Sequence, residues 1–190
     1  MSSPPLPEDG DDLDFSHEPA VPPRPPTPEQ VRQARAEASA GVPLLDSAGF
    51  MVAIARRGKA PLPPRNGHQY SLLVVEDDGE LAQLVIDIFM TAGFEVRWAA
   101  DRAEINAELH RAGIDLVLLD IVLPDADGLQ VLRRLREHPR LSELPVIMMT
   151  GKVAPEDVLA GLAAGADGYV TKPFKVSALR NAVNAVLGIE

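Results

Sequence analysis

The spacing of apolar positions changes near residue 69. From there on, short apolar runs alternate with stretches of helical periodicity. Ser71 to Val75 reads as a strand and runs into Glu76-Asp77-Asp78-Gly79; Leu81, Leu84, Val85, Ile88 and Phe89 then recur at helical spacing up to Gly93. Phe94 to Trp98 is a second strand, and Asp101 to Ala112 a helix with Asp101 as its cap. Asp115 to Leu119 is a third strand that stops on Asp120, and the helix from Leu129 to Glu137 ends before Pro139. Pro145 to Met149, Pro155 to Ala164, Gly168 to Thr171 and Val176 to Leu187 complete the alternation. Leu116-Val117-Leu118-Leu119 is apolar throughout, the mark of a strand covered on both faces. Five βα units in about 120 residues predict an α/β fold with a doubly wound parallel sheet, because right-handed crossovers leave few other arrangements.

Ahead of residue 69 the pattern is different. Residues 1–26 combine prolines with Glu8, Asp9, Asp11, Asp12, Asp14 and Glu18, and too few apolar side chains to offset the entropy of ordering, so this segment is expected to be disordered. Thr27-Pro28-Glu29-Gln30 has the order of a helix start, which predicts a short helix over 28–40 that stops at Gly41. Residues 42–57 are too apolar for a linker. Phe50, Val52 and Ile54 alternate as in a strand, yet Phe50 and Ile54 also fit one helical face, so periodicity leaves strand and helix open. Packing against the chain's own domain and binding a partner both remain open for this segment. Pro61, Pro63, Pro64 and Gly67 then read as a linker, giving an extension over 1–69 and a folded domain over 70–190.

Composition narrows the function classes. Thirteen of the 18 prolines lie in the first 64 residues, which sets the extension apart from the folding region. A net charge of −10 argues against broad nucleic-acid binding, which needs clustered Lys and Arg. The chain has no cysteine, which excludes disulfides, thiol catalysis and thiolate metal sites. It contains no membrane-length apolar run and no signal-peptide pattern, so the expected compartment is the cytoplasm. His17, His68, His110 and His138 fall in no metal-ligand spacing and are expected to face solvent, as are Arg133, Arg134 and Arg136 on their helix.

In a sheet of this kind ligands bind outside the carboxyl ends of the strands. Those ends bring together Glu76 and Asp77, Asp120, Thr150 and Lys172. Three neighbouring carboxylates repel one another, and a hard divalent cation with oxygen ligands relieves that repulsion; Mg2+ suits a site with few direct carboxylates. A carboxylate nucleophile, Mg2+, an ammonium and a hydroxyl are the parts that phosphoryl transfer needs.

Residues 70–190 resemble the receiver domain of two-component response regulators. The resemblance rests on Leu73-Val74-Val75-Glu76-Asp77-Asp78, on Leu118-Leu119-Asp120-Ile121-Val122-Leu123-Pro124-Asp125-Ala126-Asp127-Gly128, on Met149-Thr150-Gly151, and on Gly165-Ala166-Asp167-Gly168-Tyr169-Val170-Thr171-Lys172-Pro173-Phe174. It implies a five-stranded flavodoxin-like sheet of order 2-1-3-4-5 with five helices. By the same likeness Asp120 accepts a phosphoryl group from a histidine kinase or phosphotransfer protein. Asp77 and Glu76 bind Mg2+ with Asp120 and the backbone carbonyl of Val122, Lys172 contacts the phosphoryl group, and the Lys172-Pro173 bond is cis. Thr150 and Tyr169 form a switch, Tyr169 turning inward, that remodels the face of helix four, strand five and helix five for a downstream protein. Gly151, where alanine is commoner in the family, keeps the site open, and Val122 and Lys152 flank the approach of a hydrolytic water. Gly128 reads as a turn glycine, and Asp125 as the loop acid that could modulate the site.

The chain is read as a signalling phosphoacceptor with no substrate turnover, and from its end soon after the fifth helix no C-terminal effector is expected. An aspartyl phosphohydrolase is disfavoured by Val122, where many such enzymes carry a second acid. The other reading is a phosphorylation-independent docking module working through residues 42–57. A nucleotide site is disfavoured because Glu76-Asp77-Asp78-Gly79 lacks a glycine-rich phosphate loop and would repel a pyrophosphate.

Overall fold

The computed structural model describes residues 44–45, 51–54, 63–64, 67, 69–151, 158 and 161–189. The helix expected over 28–40, and Lys152, lie outside the described residues. Among the described residues seven strands form one sheet: β1 (Leu44–Leu45), β2 (Met51–Ile54), β3 (Ser71–Val75), β4 (Glu95–Ala99), β5 (Leu116–Asp120), β6 (Val146–Thr150) and β7 (Gly168–Thr171). The helices are α1 (Gly79–Thr91), α2 (Arg102–His110), α3 (Gly128–Glu137), α4 (helical at 158 and 161–163) and α5 (Val176–Leu187).

The sheet order is β1-β2-β7-β6-β5-β3-β4. Its parallel part, β4-β3-β5-β6-β7, is the expected order 2-1-3-4-5. The two strands ahead of residue 70 extend it: β1 pairs antiparallel with β2, and β2 antiparallel with β7. Residues 51–54, for which periodicity allowed strand or helix, are therefore a strand, and they pack on the chain's own domain.

Side-chain alternation sorts the strand residues into two layers. Leu73, Val75, Val117, Leu119, Val146, Met148 and Tyr169 face α2, α3 and α4, whose Ile105, Leu109, Val131, Leu132, Leu135 and Val158 complete that core. Leu72, Val74, Leu116, Leu118, Ile147, Met149 and Val170 face α1 and α5, packing with Val85, Phe89, Leu179 and Val183. All five residues of β3, β5 and β6 are buried, as the unbroken apolar runs require of strands covered on both sides.

Aspartates start three of the helices. Asp78 accepts from the backbone N–H groups of Glu80 and Leu81, at 3.0 and 3.1 Å. Asp101 accepts from Glu104 N–H at 2.9 Å while the Glu104 carboxylate accepts from Ala100 N–H at 2.7 Å, a reciprocal capping box. Asp127 caps α3 through Leu129 N–H. The chain leaves β3 for β4 on one side and returns past β3 to β5 on the other, so the crevice between the ends of β3 and β5 is the topological switch point.

Candidate functional site

β3 and β5 are adjacent and parallel, with Val75 opposite Leu119. The residues that follow on β3, Glu76 and Asp77, therefore emerge beside Asp120. Carboxylate oxygens of all three lie within 4.8 Å of one another. Glu76 and Asp120 are buried, whereas Asp77 is exposed at the mouth. Lys172, one residue beyond β7, reaches between the buried acids: its Nζ is 2.5 Å from Glu76 Oε2 and 2.6 Å from Asp120 Oδ2. The Lys172 backbone N–H donates to the Thr150 carbonyl at 2.7 Å, which anchors the lysine to the end of β6. Thr150 itself is fully buried, and the Lys172-Pro173 peptide is cis.

The other Asp120 oxygen, Oδ1, accepts from Val122 N–H at 3.1 Å. Glu76 is steadied through its main chain: Trp98 Nε1–H donates to the Glu76 carbonyl at 2.8 Å, and the Glu76 N–H donates to the Ala99 carbonyl at 3.1 Å. Burial pushes the Glu76 carboxyl above its ordinary range, and the Asp120 charge adds to this against the pull of Lys172. Burial alone would lower the Lys172 ammonium; hydrogen bonds to Asp120 and Glu76, with their charges, outweigh it and hold Lys172 above the ordinary lysine value.

Two glycines shape this region through what they lack. A Cβ on Gly128 would lie 2.1 Å from the Asp120 carbonyl oxygen and 2.8 Å from Ile121 Cα. The Gly128 N–H also donates to the Ile121 carbonyl at 2.9 Å, so the loop from Asp120 doubles back on itself. Gly161 faces the Tyr169 ring, whose carbons would sit 3.2 Å from an added Cβ. Tyr169 is fully buried in the core layer on the α2–α4 side.

The family model for the response regulator receiver domain matches residues 72–184, well over half of the chain. The chain belongs to this family. Curated relatives include the sensory transduction protein RegX3 of Mycobacterium tuberculosis, 41% identical over 117 residues, covering 62% of this chain and 50% of the relative. The transcriptional regulatory protein GltR of Pseudomonas aeruginosa is 38% identical over 117 residues, 62% of this chain and 48% of its own. The chain thus spans about half the length of the curated relatives it matches. Among solved structures, the Vibrio cholerae chemotaxis protein CheY4 is 30% identical with a TM-score of 0.59, covering 63% of this chain and 99% of that one. A CheY-like receiver domain protein from Methanospirillum hungatei is 30% identical at a TM-score of 0.58, over 63% of this chain and 94% of that one.

The receiver fold brings Glu76, Asp77, Asp120 and Lys172 together and puts the Val122 amide on Asp120, with the Val122 side chain exposed. Gly151 is exposed, with nothing within 4 Å of an added Cβ among the described residues. Asp125 is engaged elsewhere: its carboxylate accepts from the Arg102 backbone N–H at 3.2 Å, tying the loop after β5 to α2.

Two expectations of solvent exposure do not hold. Arg136 donates to the carbonyls of Gly165 and Leu144, at 2.9 and 2.8 Å, and pairs with Asp167 at 2.9 Å, so it latches α3 to the loops before β6 and β7. His138 is buried at the end of α3, where its Nδ1 accepts from the Arg140 N–H at 3.1 Å. The sequence assigns no role to Trp98 or Gly161, and for Gly128 it gives the turn but not the close approach to Asp120. Only the eight-residue spacing of Gly128 from Asp120 carried a trace of its role.

Proposed function

We propose that Asp120 accepts a phosphoryl group from a histidine kinase or histidine phosphotransfer protein in the cytoplasm. The observation that carries this reading is the pairing of the buried Asp120 carboxylate, one oxygen on the Val122 amide and the other on Lys172, beside two further acids. A carboxylate oxygen of Asp120 attacks phosphorus, the P–N bond of the phosphohistidine breaks as the O–P bond forms, and the departing imidazole takes up a proton. Lys172 then transfers its contact from the carboxylate to the phosphoryl oxygens.

Glu76, Asp77 and Asp120 suit a hard divalent cation, because three oxygen donors of like charge converge within 4.8 Å. These acids and the Val122 carbonyl would hold Mg2+, which would supply charge neutralisation of the phosphoryl oxygens. The Thr150 hydroxyl turns toward the new group. Tyr169 shares in the change: its ring is buried against Gly161, which supports a switch that is an equilibrium between ring positions biased by phosphorylation. Output passes to a protein that reads the α4-β7-α5 face or the extension before residue 70.

Incubation with acetyl phosphate and Mg2+ followed by intact-mass measurement tests the reading. The expected result is a gain of one phosphoryl group in the native chain and none in Asp120→Asn. An equal gain in both, or none in either, overturns it.

A further inference from the structure

The β7 edge carries a feature that the phosphoacceptor site does not use. In the five-stranded parallel sheet β7 is terminal, and its sequence Gly-Tyr-Val-Thr holds no charge to deter another strand. β2 lies along it in antiparallel register, with Val52 opposite Val170, Ala53 opposite Tyr169 and Ile54 opposite Gly168. Ile54 sits where Gly168 provides no side chain of its own. Val52 and Ile54 are both buried, in the layer that contains Val170 and the α5 side chains Leu179 and Val183. The seat has two parts: backbone pairing to β7, and an apolar strip on α5.

We propose that Met51–Ile54 is a tethered cover that occupies the β7 edge and excludes from it any strand of like chemistry, an extended peptide with β-branched residues at alternate positions. Backbone pairing gives such a site its affinity, and alternate side-chain pockets give it selectivity. The connection from Ile54 to Ser71 keeps the cover at high effective concentration, so a partner strand must displace it before pairing. Among the described residues no hydrogen bond or ion pair joins the cover to Glu76, Asp77, Asp120 or Lys172, and the cover stands whether or not Asp120 is phosphorylated. Its backbone nevertheless pairs with the strand that holds Tyr169, so uncovering loosens that strand directly.

A labelled synthetic peptide of residues 49–56 tests this against the full chain and its Val52→Asp/Ile54→Asp variant. Fluorescence polarisation reads peptide binding, and hydrogen exchange reads the amides of 168–171. The variant is expected to bind the peptide at least about tenfold more tightly than the native chain, because its own cover no longer competes. Exchange at 168–171 should be at least tenfold faster in the free variant and should slow again when the peptide is added. Equal binding to both chains, binding to neither, or unchanged exchange overturns the proposal. Cooperative thermal unfolding verifies that the variant is folded. If it is not, Ala53→Pro, which removes one backbone donor and adds no charge, takes its place under the same criteria.

Discussion

At β4 the parallel sheet ends in Glu95, Val96, Arg97 and Trp98, all at least partly open to solvent, whereas every residue of β7 is buried. The β4 edge is guarded by charge: Arg97 Nε lies 3.2 Å from Glu95 and its Nη1 3.9 Å from Glu108, a surface ill suited to another chain's backbone. The β7 edge has no such guard and is closed by a strand from outside the receiver repeat. A charged edge needs no cover, and an apolar one does. The open edge also serves the site, since Trp98 is the residue that holds the Glu76 carbonyl.

The largest effect is expected where the covered edge runs into the site. Lys172→Met leaves Glu76 and Asp120 facing each other without their cation, and should cost about 2–3 kcal/mol in Mg2+-free urea denaturation. Because its partners raise Lys172, the native chain's advantage is full below the lysine's unfolded-state value and is lost as pH rises through the higher folded-state value. The difference between the two proteins should therefore persist through neutral and mildly alkaline buffers. A gap that closes near neutrality would show that the ammonium is not what holds the two acids.

Removing the cover should cost less. Val52→Asp/Ile54→Asp forfeits roughly 3–5 kcal/mol of apolar burial, but the released strand regains most of that as chain entropy, leaving a net loss of about 1–2 kcal/mol. A variant of native stability would erase the contrast between the edges. On the β4 side, Trp98→Phe removes one hydrogen bond to a buried carbonyl and should lose about 1 kcal/mol. Trp98 is the only tryptophan, so titrating the native chain with Mg2+ should shift its emission if the acids move on binding. The smallest effect belongs to Glu95→Gln, which breaks an exposed ion pair and should change stability by less than about 0.5 kcal/mol.

Much of the receiver was legible because its signals are local. β3, β5 and β6 are unbroken apolar runs, Asp101 stands in cap position, and Glu76, Asp77, Asp120 and Lys172 follow strand ends that the topology must gather. What escaped depends on contacts far apart in sequence. Residues 51–54 fit two periodicities, and the deciding facts, a glycine at 168 and an apolar strip on α5, lie more than a hundred residues away. Arg136 looked like surface because an arginine on a helix carries no mark of the carbonyls it will meet at Leu144 and Gly165. Trp98 carries no mark in the sequence beyond the end of a strand, since its bond to Glu76 exists only once β4 lies beside β3.

Gly128 has a consequence for how this protein can change over time. Every other amino acid places a carbon where the Asp120 carbonyl oxygen already sits, 2.1 Å away. Any missense change in that codon, whatever base is altered, therefore pushes on the main chain of Asp120. A lineage can redraw the edges, loops and extension of this chain one substitution at a time, but it can alter position 128 only by moving the aspartate with it.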